Sequence, residues 1–147
     1  MIQIKDREGK VLLEVSAKNL KNADFRGANL QGAYNFGCFD LRGANFEGAD
    51  LRDAFLVSCN LRNACFAKAN LQNVNFHDAK LCEADLRQAD LNGACFTMAN
   101  LKDARMEFAN LQNANFVDAN LDGTKLVQAE LNGACLNGIK VSSKTKF

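Results

Sequence analysis

From about Asn19 to Val141 the chain carries one large apolar residue in every five, and the positions around it are nearly as regular. A small residue, usually Ala, lies two before this centre, and Asn or Asp lies between them. Two mainly polar residues follow, as in Ala28-Asn29-Leu30-Gln31-Gly32 and Ala89-Asp90-Leu91-Asn92-Gly93. The centres run Leu20, Phe25, Leu30, Phe36, Leu41, Phe46 and onward every fifth residue to Leu136 and Val141, about 25 units. A period of five is not the face of a helix, because five steps of ~100° leave each centre ~140° from the last. Nor is it a straight strand, in which an odd period would send successive centres to opposite faces. Within a unit, however, the small residue and the centre are two apart, which puts both on one side of an extended segment with the Asn or Asp pointing away. The last two residues must then turn a corner. The second of them is often Gly, Asn or Asp (Gly43, Gly48, Asp53, Asn63, Asn73, Gly93), the residue types that tolerate tight turns. The pattern predicts a coil of short straight sides, apolar within and polar without.

The number of sides per turn stays open on spacing alone. Centres 41, 51, 61 and so on are Leu through 131, whereas Phe46, Phe66, Phe76, Phe96, Met106 and Phe116 fall in the intervening series. That ten-residue rhythm fits two sides or four. The tandem Ala-Asp/Asn-Leu-x-x units, sustained over roughly 120 residues, resemble the pentapeptide-repeat family. The resemblance implies an all-β right-handed quadrilateral β-helix with four repeats per turn, here about six coils. At a strand spacing of ~4.8 Å such a stack would be a rod roughly 30 Å long.

A narrow coil accounts for the alanines, since a side cannot hold two bulky side chains. Phe39, Cys59, Val74 and Thr124, which replace them, predict local widening. Apolar burial alone does not offset the ordering of the backbone, so hydrogen bonds between coils and stacked Asn side chains are expected to contribute. The units slip once, because Leu30 and Phe36 are six apart. Tyr34 is the extra residue, and a bulge is expected there. Ahead of the repeats, Ile2-Gln3-Ile4, the turn-like Asp6-Arg7-Glu8-Gly9 and Val11-Leu12-Leu13-Glu14-Val15 predict a β-hairpin that covers the first coil. The expected organisation is a hairpin cap over 1–15, the β-helix over 16–141 and a short polar tail over 142–147. Phe147 either folds over the last coil or lies free.

Charge narrows the choice of partners little. With 18 basic and 17 acidic residues the formal charge is +1, which lacks both the cationic excess of a non-specific nucleic-acid binder and the anionic excess of a nucleic-acid mimic. No run approaches the ~18 apolar residues of a membrane span, and the first residues do not read as a signal peptide. A cytoplasmic protein without membrane attachment is expected. The six cysteines, Cys38, Cys59, Cys65, Cys82, Cys95 and Cys135, fit neither a disulfide framework nor a zinc site, and are expected as free thiols, with Cys59 buried.

Catalytic chemistry has little to start from: one histidine, no Gly-rich phosphate loop and no metal-ligand cluster. His77 follows the centre Phe76 and points outward as an ordinary surface residue. No enzyme activity, cofactor or metal is expected. Cys95 and Cys135 share an outward column but lie two coils apart, too far for a disulfide. Most outward positions are Arg, Asn, Gln, Asp or Lys, with Arg42 and Arg62 stacked on one side and Asp50, Asp90 and Glu130 on another. The side with centres Leu56, Phe76, Phe96, Phe116 and Leu136 instead carries Phe55, Val57, Met98 and Val117, and these four are the candidate contact face for a protein partner or a second copy. Phe108 is similarly exposed on a different side. The expected function is a non-catalytic interaction or scaffold module with an unknown protein partner, as monomer or homodimer. The alternative implied by the resemblance is a DNA-mimicking modulator of a type II topoisomerase. That reading calls for an acidic rod, a C-terminal dimerisation module and, in some members, long loops, none of which is evident in this sequence.

Overall fold

The computed structural model describes the backbone of residues 1–147 and every side chain except that of Cys38, so the free-thiol expectation for Cys38 lies outside the described residues. Two strands open the chain. β1 (Ile2–Lys5) pairs antiparallel with β2 (Val11–Val15), Ile2 opposite Val15 and Ile4 opposite Leu13, with a shift of register between Ile4 and Lys5. The remainder contains one short 3₁₀ helix, Phe36–Cys38, and a succession of turns joined by parallel single-residue bridges: Asn45 to Cys65, Cys65 to Asp85, Asp85 to Arg105. The expected all-β character takes this form because only about three residues of each side are extended before the next corner. Too few are in line to make a strand.

Bridge partners are twenty residues apart, and a repeat of five therefore gives a coil of four sides. The first side has centres Leu41, Leu61, Leu81, Leu101 and Leu121, and the second Phe46, Phe66, Leu86, Met106 and Leu126. The third has Leu51, Leu71, Leu91, Leu111 and Leu131, and the fourth Leu56, Phe76, Phe96, Phe116 and Leu136. From Leu20 to Leu126 every centre is buried, and nearly all the alanines with them. Rings stack at the spacing of the coils. Phe25, Phe46 and Phe66 lie 4.8 Å apart on the second side, and Phe76, Phe96 and Phe116 are 5.3 and 4.9 Å apart on the fourth. The two stacks meet edge to face at Phe66 and Phe76, 5.6 Å apart. Beyond Phe66 the second side continues with Leu86 and Met106, while the fourth keeps its rings at Phe96 and Phe116.

A unit with Asn or Asp before its centre can satisfy all five of its backbone N–H groups, as residues 41–45 show. Leu41 donates to the Asn60 carbonyl, Gly43 to that of Arg62 and Asn45 to that of Ala23, all in neighbouring coils, while Ala44 closes the turn onto Leu41. The remaining donor, the N–H of Arg42 at the first corner position, bonds Asp40 Oδ1 at 3.1 Å. The same local bond recurs from Asn45 to Glu47, Asn75 to His77 and Asn115 to Val117. The expectation of stacked Asn side chains is thus corrected. Most outer Asn and Asp side chains turn along their own side to satisfy the one N–H the coil ladder leaves over, and few reach a neighbouring coil, Asn110 to Asp90 among them. Outside the Phe36–Cys38 turn, φ at the second corner position lies between +55° and +74° from Asn22 to Gly138, the mark of a type II turn.

The slip lies between Asn29, which bridges Asp50 in a register of twenty-one, and Asp40, which bridges Asn60 in a register of twenty. Tyr34 leaves the coil ladder there: its N–H donates to the carbonyl of Lys5 at 2.8 Å. Asn35 Oδ1 accepts the Lys5 N–H, and its Nδ2 donates to the Gln3 carbonyl. The extra residue is where β1 docks. Ile4 is buried there, and Ile2, Leu12, Leu13 and Val15 pack against the same core. At the other end the chain continues past Val141, Lys146 bridges Lys125, and the Thr145 hydroxyl donates to the Leu121 carbonyl, whereas Phe147 stays exposed.

Candidate interaction surface

The interior is filled by its own side chains, so anything the molecule recognises must meet its outside. On each side that outside consists of an outer residue before the centre and two corner residues after it, and the same positions of successive coils stack in columns ~4.8 Å apart.

The four residues singled out on the fourth side do not form one patch. Phe55 and Val57 lie at its upper end, both half-buried. The Phe55 ring meets Tyr34 edge to face at 5.0 Å, and the Arg7 guanidinium lies over both rings, 5.1 Å from Phe55 and 5.4 Å from Tyr34. This cation–π clamp belongs to the seat of the hairpin, whose turn carries Arg7. The signal was present in the sequence, since the inserted Tyr34 and the aromatic Phe55 depart from the repeat in adjoining coils. Two coils further, ~10 Å away, Met98 donates its N–H to the Val117 carbonyl, and its side chain is 56% exposed. His77, Asp78 and Thr97 separate the two pairs. There the His77 N–H bonds Asn75, and the Ser58 hydroxyl donates to Asp78.

Met98 and Phe108 occupy second corner positions with φ of +61° and +62°. Gly, Asn or Asp fills most of these positions, and a bulky side chain there is held in the left-handed region at a cost of about 1–2 kcal/mol. Both side chains are more than half exposed, so no packing offsets that cost. Phe108 borders a groove of about 310 Å³ with Ala67, Lys68, Arg87 and Gln88, and Val127 lies beside it in the next coil, 43% exposed.

Most ion pairs among the described residues lie along their own side, and Lys102 reaches Asp122 of the next coil at 4.0 Å. Asp24, Asp40, Asp50 and Asp85 each take a 2.6 Å contact from the Arg two residues on. The hydrogen bond from the Arg42 guanidinium holds the Asp40 carboxyl down at about 2, and that from Arg87 lowers Asp85. Cys65, Cys82, Cys95 and Cys135 are free thiols. Cys59 is buried, and Cys95 is separated from Cys135 in its column by Asn115.

The family model for pentapeptide repeats matches residues 18–34, 40–78, 69–107 and 104–140 in eight copies. The chain belongs to the pentapeptide-repeat family. Among pentapeptide-repeat proteins of known structure it resembles Rfr23 of the cyanobacterium Cyanothece 51142, with 31% identity and a TM-score of 0.57 over 76% of this chain and 69% of that one. A pentapeptide-repeat protein of the Arabidopsis thaliana thylakoid lumen is 30% identical, with a TM-score of 0.43 over 65% of this chain and 59% of that one. HetL of Nostoc sp. strain PCC 7120, involved in regulation of heterocyst differentiation, is 31% identical, with a TM-score of 0.36 over 82% of this chain and 62% of that one. The chain therefore spans less than two thirds of the last two. No curated protein sequence matches it. The pentapeptide-repeat fold of these relatives is the right-handed β-helix, and among the described residues no helix is long and apolar enough to cross a membrane.

Proposed function

We propose that this pentapeptide-repeat protein is a non-catalytic interaction or scaffold module of the cytoplasm, binding a protein partner on the outside of a rod of about six coils. Residues 1–15 close one end, 16–141 form the rod and 142–147 complete its other end. The observation that carries the reading is Met98, exposed at a corner where its backbone favours Gly or Asn, with Val117 beside it. The contact surface centres on Met98 and Val117. Phe55 and Val57 flank it, with part of their surface given over to the hairpin.

The test compares wild type with a Met98→Asp/Val117→Asp variant, both immobilised and exposed to a lysate of the source organism. One protein retained by wild type and lost by the variant is the expected result. Equal retention by the two would remove this surface from the function. A type II topoisomerase supercoiling assay with added protein separates off the alternative, since an interaction module of this kind leaves its rate unchanged.

A further inference from the structure

The outer column of the second side departs from Asn and Asp in three successive coils, where the first and fourth sides depart only at single coils such as Lys80 and Cys95. Its residues run Asn45, Cys65, Asp85, Arg105, Lys125 and then Lys146, each bridged to the next. The last three are cations stacked at coil spacing, all exposed, where like charges directly opposite one another destabilise a sheet. Among the described residues, ion pairing relieves only Arg105, whose Nη2 lies 3.5 Å from Glu107 Oε1. Among the described residues Lys125 and Lys146 have no carboxylate within salt-bridge distance.

The substitution has a second effect. Where the outer residue is Asn or Asp its side chain can accept the N–H of the first corner residue, as at Asn45 and Asn75, but Arg and Lys have no oxygen to offer. The N–H groups of Glu107 and Val127 consequently have no acceptor among the described residues. Beside these donors stand the two exposed apolar residues of this side, Phe108 and Val127. Repelling cations, unanswered amides and a strained aromatic corner each oppose folding, and all three converge on one stretch of one side.

We infer that this stretch, Arg105, Lys125 and Lys146 with Phe108 and Val127, is the docking site for an acidic segment of a protein partner. Carboxylates of that segment take the place of the absent Asn and Asp side chains, accepting the Glu107 and Val127 N–H groups while neutralising the cations. An apolar residue of the segment packs on Phe108 and Val127. The pairing of amide and ammonium at one outer position selects a carboxylate, and the apolar flank favours a peptide over a sugar–phosphate backbone. This surface is separate from the Met98 corner, and the proposal stands whether or not that corner binds a partner.

The test uses fluorescence anisotropy with a labelled acidic peptide in which Asp and Glu flank one Leu and one Phe. Comparison ligands are the same peptide with Ser in place of its acids and a single-stranded oligonucleotide of equal charge. Wild type should bind the acidic peptide in preference to both, more weakly as salt rises. Lys125→Asn restores the oxygen of the repeat and removes the charge. It should raise the melting temperature and weaken binding by about tenfold or more, the loss of one charge-assisted hydrogen bond. Phe108→Asn should likewise raise the melting temperature while weakening binding. The proposal fails if the peptide does not bind, if Lys125→Asn binds as wild type does, or if the oligonucleotide binds as tightly as the peptide.

Discussion

Asn or Asp before the centre is a backbone requirement of this coil, because one N–H in five has no partner in the ladder and the outer side chain is placed to accept it. Asn45 shows the case without a charge, taking the Glu47 N–H at 3.0 Å. Asn45→Ala should cost about 1 kcal/mol, the net value of a hydrogen bond that water partly replaces. Urea unfolding should show it as a lower midpoint at unchanged slope. The same substitution at Cys65, one coil on in the column, should be close to neutral, because Cys65 forms no such bond to Ala67. Equal losses at the two positions would mean that the outer residue acts through something other than its oxygen. The repeat was legible in the sequence at this scale, and so was the outward direction of the Asn. The use of its side chain was not, since stacking between coils and bonding along the side require the same residue type. Only the complete account of N–H donors separates them.

At the scale of elements, the six-residue step between Leu30 and Phe36 and the hairpin ahead of the repeats looked like unrelated departures. In the structure they are one device. Tyr34 turns its N–H to Lys5, the Asn35 side chain bonds the Lys5 N–H and the Gln3 carbonyl, and the Arg7 guanidinium lies over Tyr34 and Phe55. The sequence could show that a residue was inserted, but local spacing carries no information about a contact between residues some thirty positions apart. For the same reason Phe55 and Met98 read as one apolar face, although Phe55 has its aromatic partners within the chain and Met98 does not. Deleting Tyr34 should restore an unbroken period of five, leave the coil amides beyond Asp40 as slowly exchanging as before, and free β1. Hydrogen exchange at Lys5 should then accelerate to the rate of an unprotected amide. If Lys5 stayed protected, the hairpin would be held by its apolar contacts alone and the insertion would have no part in seating it.

Across the whole molecule nearly every hydrogen bond between coils joins residues about twenty apart, so each coil is held by its two neighbours and by little else. Stability in such a stack is a chain of nearest-neighbour terms, and opening proceeds from whichever end is covered less. The ends here differ. Where the hairpin packs, Leu20 and Leu30 are fully buried and Phe25 is 2% exposed. At the opposite end Leu131 and Leu136 are only partly buried, and among the described residues their N–H groups have no acceptor. The tail covers the first and second sides instead, through the Thr145 hydroxyl on Leu121 and the bridge from Lys146 to Lys125. Native-state hydrogen exchange should therefore show protection rising from the amides of residues 126–141 toward those of the middle coils, with Cys135 opening before Asn115 and Asn115 before Cys95. Each of the three donates to an alanine or valine carbonyl one coil earlier, so their bonds are chemically alike and only position in the stack distinguishes them. Identical protection at all three would mean that the rod opens as a single unit, with coupling between coils strong enough to make fraying at an uncovered end as costly as complete unfolding.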